Sequence, residues 1–279
     1  VSTPRVVVVT GGTRGIGLGL AGQLLRRDCQ VVVCGRSSAA VDAAVAELGA
    51  VAGADRVSGL PADVTDRDSL QRLWDHTIET FGRVDVWINN AGVSAPRRPL
   101  PEIPADVVDG VICTNLVGAV NGSTVALAGL SAQPGGGWIW NMEGFGSDGQ
   151  LQPGMAVYGA SKRAVTYLTS ALVKEMKGTD VRVGYLSPGI VATDLLVDDY
   201  DGQPEAFEKA RKIFNILGDR VETVTPWLAD RVLAASKNGA RVAWLTRSKA
   251  MGRFLTAGFR SRDIFATDES SARTPEAVA

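Results

Sequence analysis

The sequence is poor in metal ligands and in redox-active sulfur. Its 279 residues hold one histidine, His76, and three cysteines, Cys29, Cys34 and Cys113, with no Cys-x-x-Cys spacing. With no paired cysteine spacing and a single histidine, no catalytic metal is expected and a reducing compartment is the natural setting. Charge of one sign is also missing, with 29 Lys and Arg against 30 Asp and Glu. Such a chain carries no global field for nucleic acid or an anionic bilayer, and any partner must be recognised locally. No run of about 18 uninterrupted apolar residues occurs, so an integral membrane span is not expected. No signal-peptide pattern precedes the first strand. A start at Val1 rather than Met is compatible with a removed leader; the expected location is cytoplasmic for a bacterial chain and a plastid for one whose leader was cut.

What is present is a repeating alternation. Residues 6–9 are four valines, a β-branched run suited to a strand buried on both faces. A glycine-rich turn and a helical pattern follow, and the theme recurs: strands at 30–34, 56–60, 84–89, 137–141, 181–187 and 241–245, with helices at 39–48, 68–81, 104–130 and 156–176 between them. Strands that alternate with helices need crossover connections, and crossovers make a parallel sheet. The expected architecture is a Rossmann-type, doubly wound α/β fold: one parallel seven-stranded sheet with helices on both faces, in one domain over 1–265. An insertion at 195–218, helical from Pro204, is placed above the carboxyl ends of the strands as a substrate lid. The stretch 247–265 mixes Met251, Phe254, Leu255, Phe259 and Phe265 with Arg253, Arg260 and Arg262. Such an amphipathic segment suits a membrane surface, but packing on its own domain or on another subunit is preferred. The polar end, 266–279, is expected to be mobile.

Residues 10–17 read TGGTRGIG between the first strand and its helix. In that position glycines let the chain turn tightly and bring a pyrophosphate to the helix N-terminus, whose free N–H groups favour an anion. At the end of strand two, a carboxylate would bond the ribose hydroxyls of NAD and repel the extra phosphate of NADP. Gly35 stands there instead, followed by Arg36 and Ser37, and Arg14 in the glycine turn is a second cation. NADPH is therefore favoured, with NADH as the alternative. Further on, Tyr158 and Lys162 lie four apart on one helix and share a face. An ammonium beside a phenol favours the phenolate and would make Tyr158 an acid/base for a carbonyl oxygen.

These motifs, with Asp63 after strand three and Asn89-Asn90-Ala91-Gly92 after strand four, resemble those of the short-chain dehydrogenase/reductase family over about residues 5–246. The resemblance implies hydride transfer between a nicotinamide dinucleotide and a carbonyl carbon, and commonly a homodimer or homotetramer. It implies cofactor contacts from Gly11, Thr13, Arg14, Gly15, Ile16, Gly17, Arg36, Ser37, Asp63, Val64, Asn90, Ala91, Gly92, Tyr158, Lys162, Pro188, Gly189 and Thr193. It also assigns to Asn115 the holding of a water that links Lys162 to solvent. One departure stands out. The family carries a Ser-Ser pair two residues after the Asn of strand five, and the second serine polarises the substrate carbonyl. Here Glu143 and Gly144 fill those slots, and Ser147 lies eleven residues before Tyr158. Ser147 is assigned the donor role, with a protonated Glu143 as the alternative and a structural role for both left open.

The departure is itself a pattern. NMEGFGSDG, YGASKR, Phe214-Asn215-Ile216-Leu217, Val221-Glu222-Thr223-Val224 and Trp244-Leu245-Thr246 resemble blocks of the chlorophyll b reductases. The implied reaction is reduction of the 7-formyl group of chlorophyll b or chlorophyllide b to 7-hydroxymethyl. A reductase of other ketones or aldehydes is the alternative enzyme, and a non-catalytic NADPH-binding scaffold the alternative from another class. A chlorin needs a broad apolar cleft. Glu143, Phe145, Leu195 and Tyr200 are its candidate substrate residues, with Leu151, Met155, Leu196, Phe207 and Phe214 as further walls.

Overall fold

The computed structural model describes residues 4–257 and 262–266. Its centre is β1 (Val6–Thr10), buried along its whole length. A strand of valines has no polar face, so it settles where both faces are covered. Val7 and Val9 point into one core with α1 (Gly15–Leu25), α2 (Ser38–Ala52) and α9 (Val221–Ala234), while Val8 points into the other with α3 (Arg67–Phe81), α5 (Gly118–Ala132) and α6 (Ala156–Glu175). β2 (Gln30–Gly35) and β4 (Val86–Asn89) flank β1, and β3 (Val57–Pro61), β5 (Gly137–Met142), β6 (Val181–Ser187) and β9 (Arg241–Ala243) complete the sheet. All seven strands are parallel, in the order β3-β2-β1-β4-β5-β6-β9. The expected doubly wound fold is thus the observed one. The strand order reverses between β1 and β4, where such sheets open a crevice at their carboxyl ends.

Three features depart from the element order read in the sequence. The expected helix over 104–130 is α4 (Ala105–Ile112) and α5 joined through a π-helical turn, Cys113–Val117, which carries Asn115. This rod has the length and apolarity of a membrane span, yet it packs against α6 and β5 as part of the fold. Second, the 195–218 insertion is framed by a ribbon of two parallel two-residue strands, β7 (Val191–Ala192) and β8 (Asp219–Arg220), too short to show a period. Between them lie α7 (Asp194–Asp198) and α8 (Pro204–Leu217). Third, β9 stops at Ala243, because Trp244 turns its indole N–H to Asp219 Oδ2 at 2.6 Å.

Asp219 also anchors the C-terminal segment. Arg253 of α10 (Arg247–Thr256) donates to its Oδ2 at 2.7 Å and Arg262 to its Oδ1 at 2.5 Å. Burial pushes this carboxyl up, but the three donors outweigh it and hold it below its usual range. Arg253 and Arg262 thereby turn inward onto the domain. Met251 and Leu255 remain 64% and 74% exposed. Phe259 and Arg260 lie outside the described residues, as does 267–279, nearly all of the tail.

On β5, Trp138 and Trp140 stack with centroids 4.9 Å apart, and Gly184 of β6 lies beneath Trp140. A Cβ there would stand 2.5 and 2.7 Å from the Trp140 ring and 2.9 Å from the Ala240 carbonyl oxygen. Trp140 is fully buried and has nowhere to swing. Gly184→Ala is therefore expected to destabilise the protein by about 1–3 kcal/mol through overpacking. Equilibrium denaturant unfolding measures it; an unchanged midpoint would show that β5 and β6 can part at no cost.

Candidate active site

The glycine turn is built for an anion. Gly11 and Gly15 have φ of +62° and +55°, a region that side chains disfavour. Gly17 has no room for a side chain, since a Cβ would stand 2.5 Å from Asn90 Nδ2. Helix α1 begins at Gly15, and its N-cap, Arg14, makes no side-chain cap, so the first N–H groups of Gly15, Ile16 and Gly17 stay open to a phosphate. Thr193 Cγ2 would lie 3.5 Å from a Cβ at Gly15, which sets the end of β7 over the turn, beyond Pro188 and Gly189. Asn90 Nδ2 donates to Thr10 O at 2.9 Å and Gly11 O at 3.0 Å, so this expected cofactor residue holds the turn itself, ahead of Ala91 and Gly92. Asp63 is turned to Thr65, whose N–H and hydroxyl both donate to its Oδ1 at 2.9 Å, with buried Val64 beside it. At the end of β2, a Cβ on Gly35 would stand 2.8 Å from Thr13 Cγ2. Arg36 is exposed; Ser37 caps α2, accepting from Ala40 N; and Arg14 faces Asp194 across 3.8 Å at the surface.

Tyr158 and Lys162 share a face of α6, as their spacing demands. Lys162 Nζ lies 5.8 Å from the Tyr158 ring centroid and donates to Met142 O at 3.2 Å. Burial pushes the lysine down to about 8, with Glu143 pulling it back. The expected lowering of the phenol is not what this geometry produces. Burial raises the Tyr158 pKa, Asp199 raises it further and Arg97 opposes, so the proton is held on the phenol. Asn115 closes the far side. Its Oδ1 accepts from Val93 N at 2.8 Å, and its Nδ2 donates to Val93 O at 2.9 Å and to Ser161 Oγ at 3.0 Å. Ser161 in turn donates to Tyr158 O at 2.7 Å.

The serine slots resolve differently from the sequence reading. Gly144 is at the phenol: a Cβ there would clash with the Tyr158 hydroxyl and stand 3.1 Å from its Cζ and 3.2 Å from Lys162 Cγ. Ser147, expected as the carbonyl donor, is tied to main chain instead. Its Oγ accepts from Gly144 N at 3.1 Å and donates to Lys162 O at 3.4 Å, closing the turn after β5. Its one hydroxyl proton is turned to the main chain, which does not favour the expected donor role. Glu143 Oε1 accepts from Thr166 Oγ1 and Glu143 Oε2 accepts from Arg241, both at 3.1 Å. Burial holds its carboxyl above the usual carboxylate range, with the Arg241 charge and the Thr166 hydrogen bond pulling it back, and both oxygens are turned to those partners. Phe145 and Leu195 are half-buried, Leu151 is exposed, and Tyr200 packs edge-on to Phe207 and Phe214 in a small core of its own.

Sequence reading missed Arg97 and Asp199. The first follows the Asn-Asn-Ala-Gly motif and the second lies in the lid, and no spacing links residues 102 apart. In space Arg97 Nε is 3.7 Å from Asp199 Oδ2, and both charges act on the Tyr158 phenol. Among the described residues no group of three or more His, Cys, Asp or Glu could hold a metal.

This chain matches the family model described as short chain dehydrogenase over residues 5–203. It is 36% identical over 262 residues to a chloroplastic chlorophyll(ide) b reductase of Oryza sativa subsp. japonica, covering 91% of this chain and 75% of that one. A relative of the same description from Arabidopsis thaliana is 36% identical over 256 residues, covering 88% and 72%. Among solved structures, levodione reductase superposes with a TM-score of 0.79 at 25% identity, covering 88% of this chain and 98% of that one. With the glycine turn, the Tyr158–Lys162 pair and the seven-stranded sheet in place, the chain belongs to the short-chain dehydrogenase/reductase family, oxidoreductases that act on a carbonyl or CH–OH group with a nicotinamide dinucleotide.

Proposed function

We propose that the protein reduces the 7-formyl group of chlorophyll b or chlorophyllide b to 7-hydroxymethyl, with NADPH as hydride donor and Tyr158 as proton donor. The observation that supports it most is the fit of Gly144 to Tyr158. The Asn-Met-Glu-Gly segment is the block that this chain has in place of the serine pair. Gly144 leaves the phenol its place, and Glu143 locks the segment to Arg241 and α6. The relatives of that description share this chain at 36% identity over nearly all of its length.

When bound, NADPH supplies the hydride. The open N–H groups of α1 suit its pyrophosphate, and Thr13 fills the space from which an acidic side chain at position 35 would reach the ribose. Arg36, exposed beside it, is free to meet a 2′-phosphate, and the surface pair of Arg14 with Asp194 is weak enough to yield. Tyr158 keeps its proton because its phenol is buried, so it gives that proton to the carbonyl oxygen as negative charge develops there. With Ser147 held in its turn, the phenol is also the hydroxyl on which the site relies to steady that oxygen. Lys162, held by Met142 O and shifted to about 8, is a nearby source for returning the proton.

A purified sample with NADPH and chlorophyllide b should oxidise the cofactor and shift the chlorin bands together; turnover of simple ketones but of no formyl-chlorin would make it a general reductase. Tyr158→Phe is expected to lower turnover about a hundred- to ten-thousandfold while NADPH affinity stays close to normal. Retention of more than half the activity would remove Tyr158 from the mechanism. Gly144→Ala should displace the phenol and cost about a hundredfold in kcat. Wild-type kinetics in that variant would mean that the phenol moves freely. Arg36→Asp should shift preference towards NADH, read from the ratio of kcat/KM for the two cofactors, whereas an unaltered ratio would place the discrimination elsewhere.

A further inference from the structure

Five buried side-chain nitrogen or oxygen atoms among the described residues have no hydrogen-bond partner. Four of them belong to two short stretches: Ser94 Oγ and Arg97 Nε after β4, and Asp199 Oδ1 and Gln203 Nε2 in the lid. These stretches meet. Arg97 N donates to Asp199 O at 2.9 Å, and the guanidinium lies over the Tyr200 ring at 4.6 Å. The side chains of Arg97 and Asp199 are 11% and 6% exposed, yet their closest approach is 3.7 Å and lacks hydrogen-bond geometry. An unpaired polar atom in the interior is costly, so such a cluster requires an explanation.

Other buried carboxylates in the chain show what a structural pair looks like here. Asp219 satisfies both oxygens with Trp244, Arg253 and Arg262 at 2.5–2.7 Å, and Glu143 satisfies both with Thr166 and Arg241. Asp199 leaves its Oδ1 without a partner in hydrogen-bond geometry. Burial pushes its carboxyl up to about 6, with a weak bond from the Ser94 hydroxyl, short of full hydrogen-bond geometry, and then the Arg97 charge pulling it back. The floor beneath it, by contrast, is rigid. Val93 is clamped through both its N–H and C=O to Asn115, and Ala95 packs on Val157, the residue before Tyr158. A Cβ on Gly154 would stand 3.1 Å from Arg97 C, so the approach to α6 also closes on this loop. One partner thus sits on a fixed wall beside the phenol, and the other rides on the insertion between β7 and β8.

We propose that Arg97 anchors a carboxylate carried by the substrate, and that Asp199 of the lid holds its place until the two carboxylates exchange. The exchange leaves charge balanced and lets Arg97 Nε and Gln203 Nε2, donors without partners, meet acceptor oxygens. Arginine suits the task, because its planar fork matches a carboxylate. The proposal rests on Tyr158 as the proton donor to the substrate carbonyl, and it deepens the reading above: of the two chlorins, the free acid chlorophyllide b is preferred to its esters.

The test compares acid with ester on the same aldehyde. One pair is chlorophyllide b and its methyl ester, and the other is 4-formylbenzoate and its methyl ester. Wild type should favour the acid about tenfold or more, chiefly in KM. Arg97→Gln should bring the acid-to-ester ratio near one, and Asp199→Asn, which removes the competing charge, should raise it above wild type. A merely structural pair would make both variants lose acid and ester turnover in parallel. That result, or a wild-type ratio near one, overturns the anchor. Binding of the two chlorins, followed by quenching of tryptophan fluorescence, reads the same ratio without turnover, and NADPH affinity and thermal melting check that each variant is folded. A chlorin pair that neither binds nor reacts, beside simple aldehydes that show the acid preference, would sink the chlorin reading and keep the anchor. No binding or reaction by any of the four compounds would overturn both.

Discussion

The side-chain amide of Asn90 donates to the carbonyl oxygens of Thr10 and Gly11, and the rest of the site depends on that tie. The Thr10 hydroxyl returns the link by accepting from the N–H groups of Asn90 and Ala91. Two loops from neighbouring strands become one unit at the point where the sheet order reverses. Buried main-chain groups outside a ladder need partners, and here the partners are side chains of the motifs themselves. The glycine turn gains its fixed shape from this joint, and the loop that continues to Val93 and Arg97 gains its fixed origin. Asn115 clamps Val93, Ser161 joins Asn115 to the main chain of Tyr158, and so the glycine turn and the Tyr158 phenol are held in one frame.

Within that frame, burial decides the electrostatics. Tyr158 is pushed towards holding its proton and Lys162 towards releasing one, opposite shifts with the same cause, because removal from water disfavours the charged form of each. Burial thereby favours the protonated phenol, the state that the proposed proton donor needs. The carboxylates nearby divide by how they are satisfied. Glu143 and Asp219 are fully bonded and serve the packing of α6 and of the C-terminal segment, whereas Asp199 in the lid keeps an unbonded oxygen.

The replacement of the family's serine pair follows the same logic of space. Gly144 has no side chain because the Tyr158 hydroxyl already lies where one would begin. Ser147 looks like the missing donor by count, being eleven residues from Tyr158, yet the turn after β5 uses its hydroxyl to bond Gly144 N and Lys162 O. Distance along the chain is a poor guide across a turn, since a change of a few dihedrals redirects a side chain entirely.

Patterns with a short repeat were legible in the chain. The four-valine strand, the alternation of strands with helices, the glycine turn and the four-residue spacing of Tyr158 and Lys162 are set by local sterics and by helix and strand periods, so the parallel seven-stranded fold and the nearness of Tyr158 to Lys162 in the candidate site could be read from residues in order. Other features depend on what meets across the fold. The β7–β8 ribbon is too short to carry a period, and the π-turn at Asn115 has no composition of its own. The direction of Glu143 depends on Arg241, 98 residues away, and that of the Ser147 hydroxyl on Lys162 of the next helix. Arg97 and Asp199 meet only because the lid folds back over the loop after β4. Local sequence determined which elements form and which face each presents; tertiary structure decided the partner of every buried charge, because a charge removed from water takes whatever opposite group the packing brings within reach.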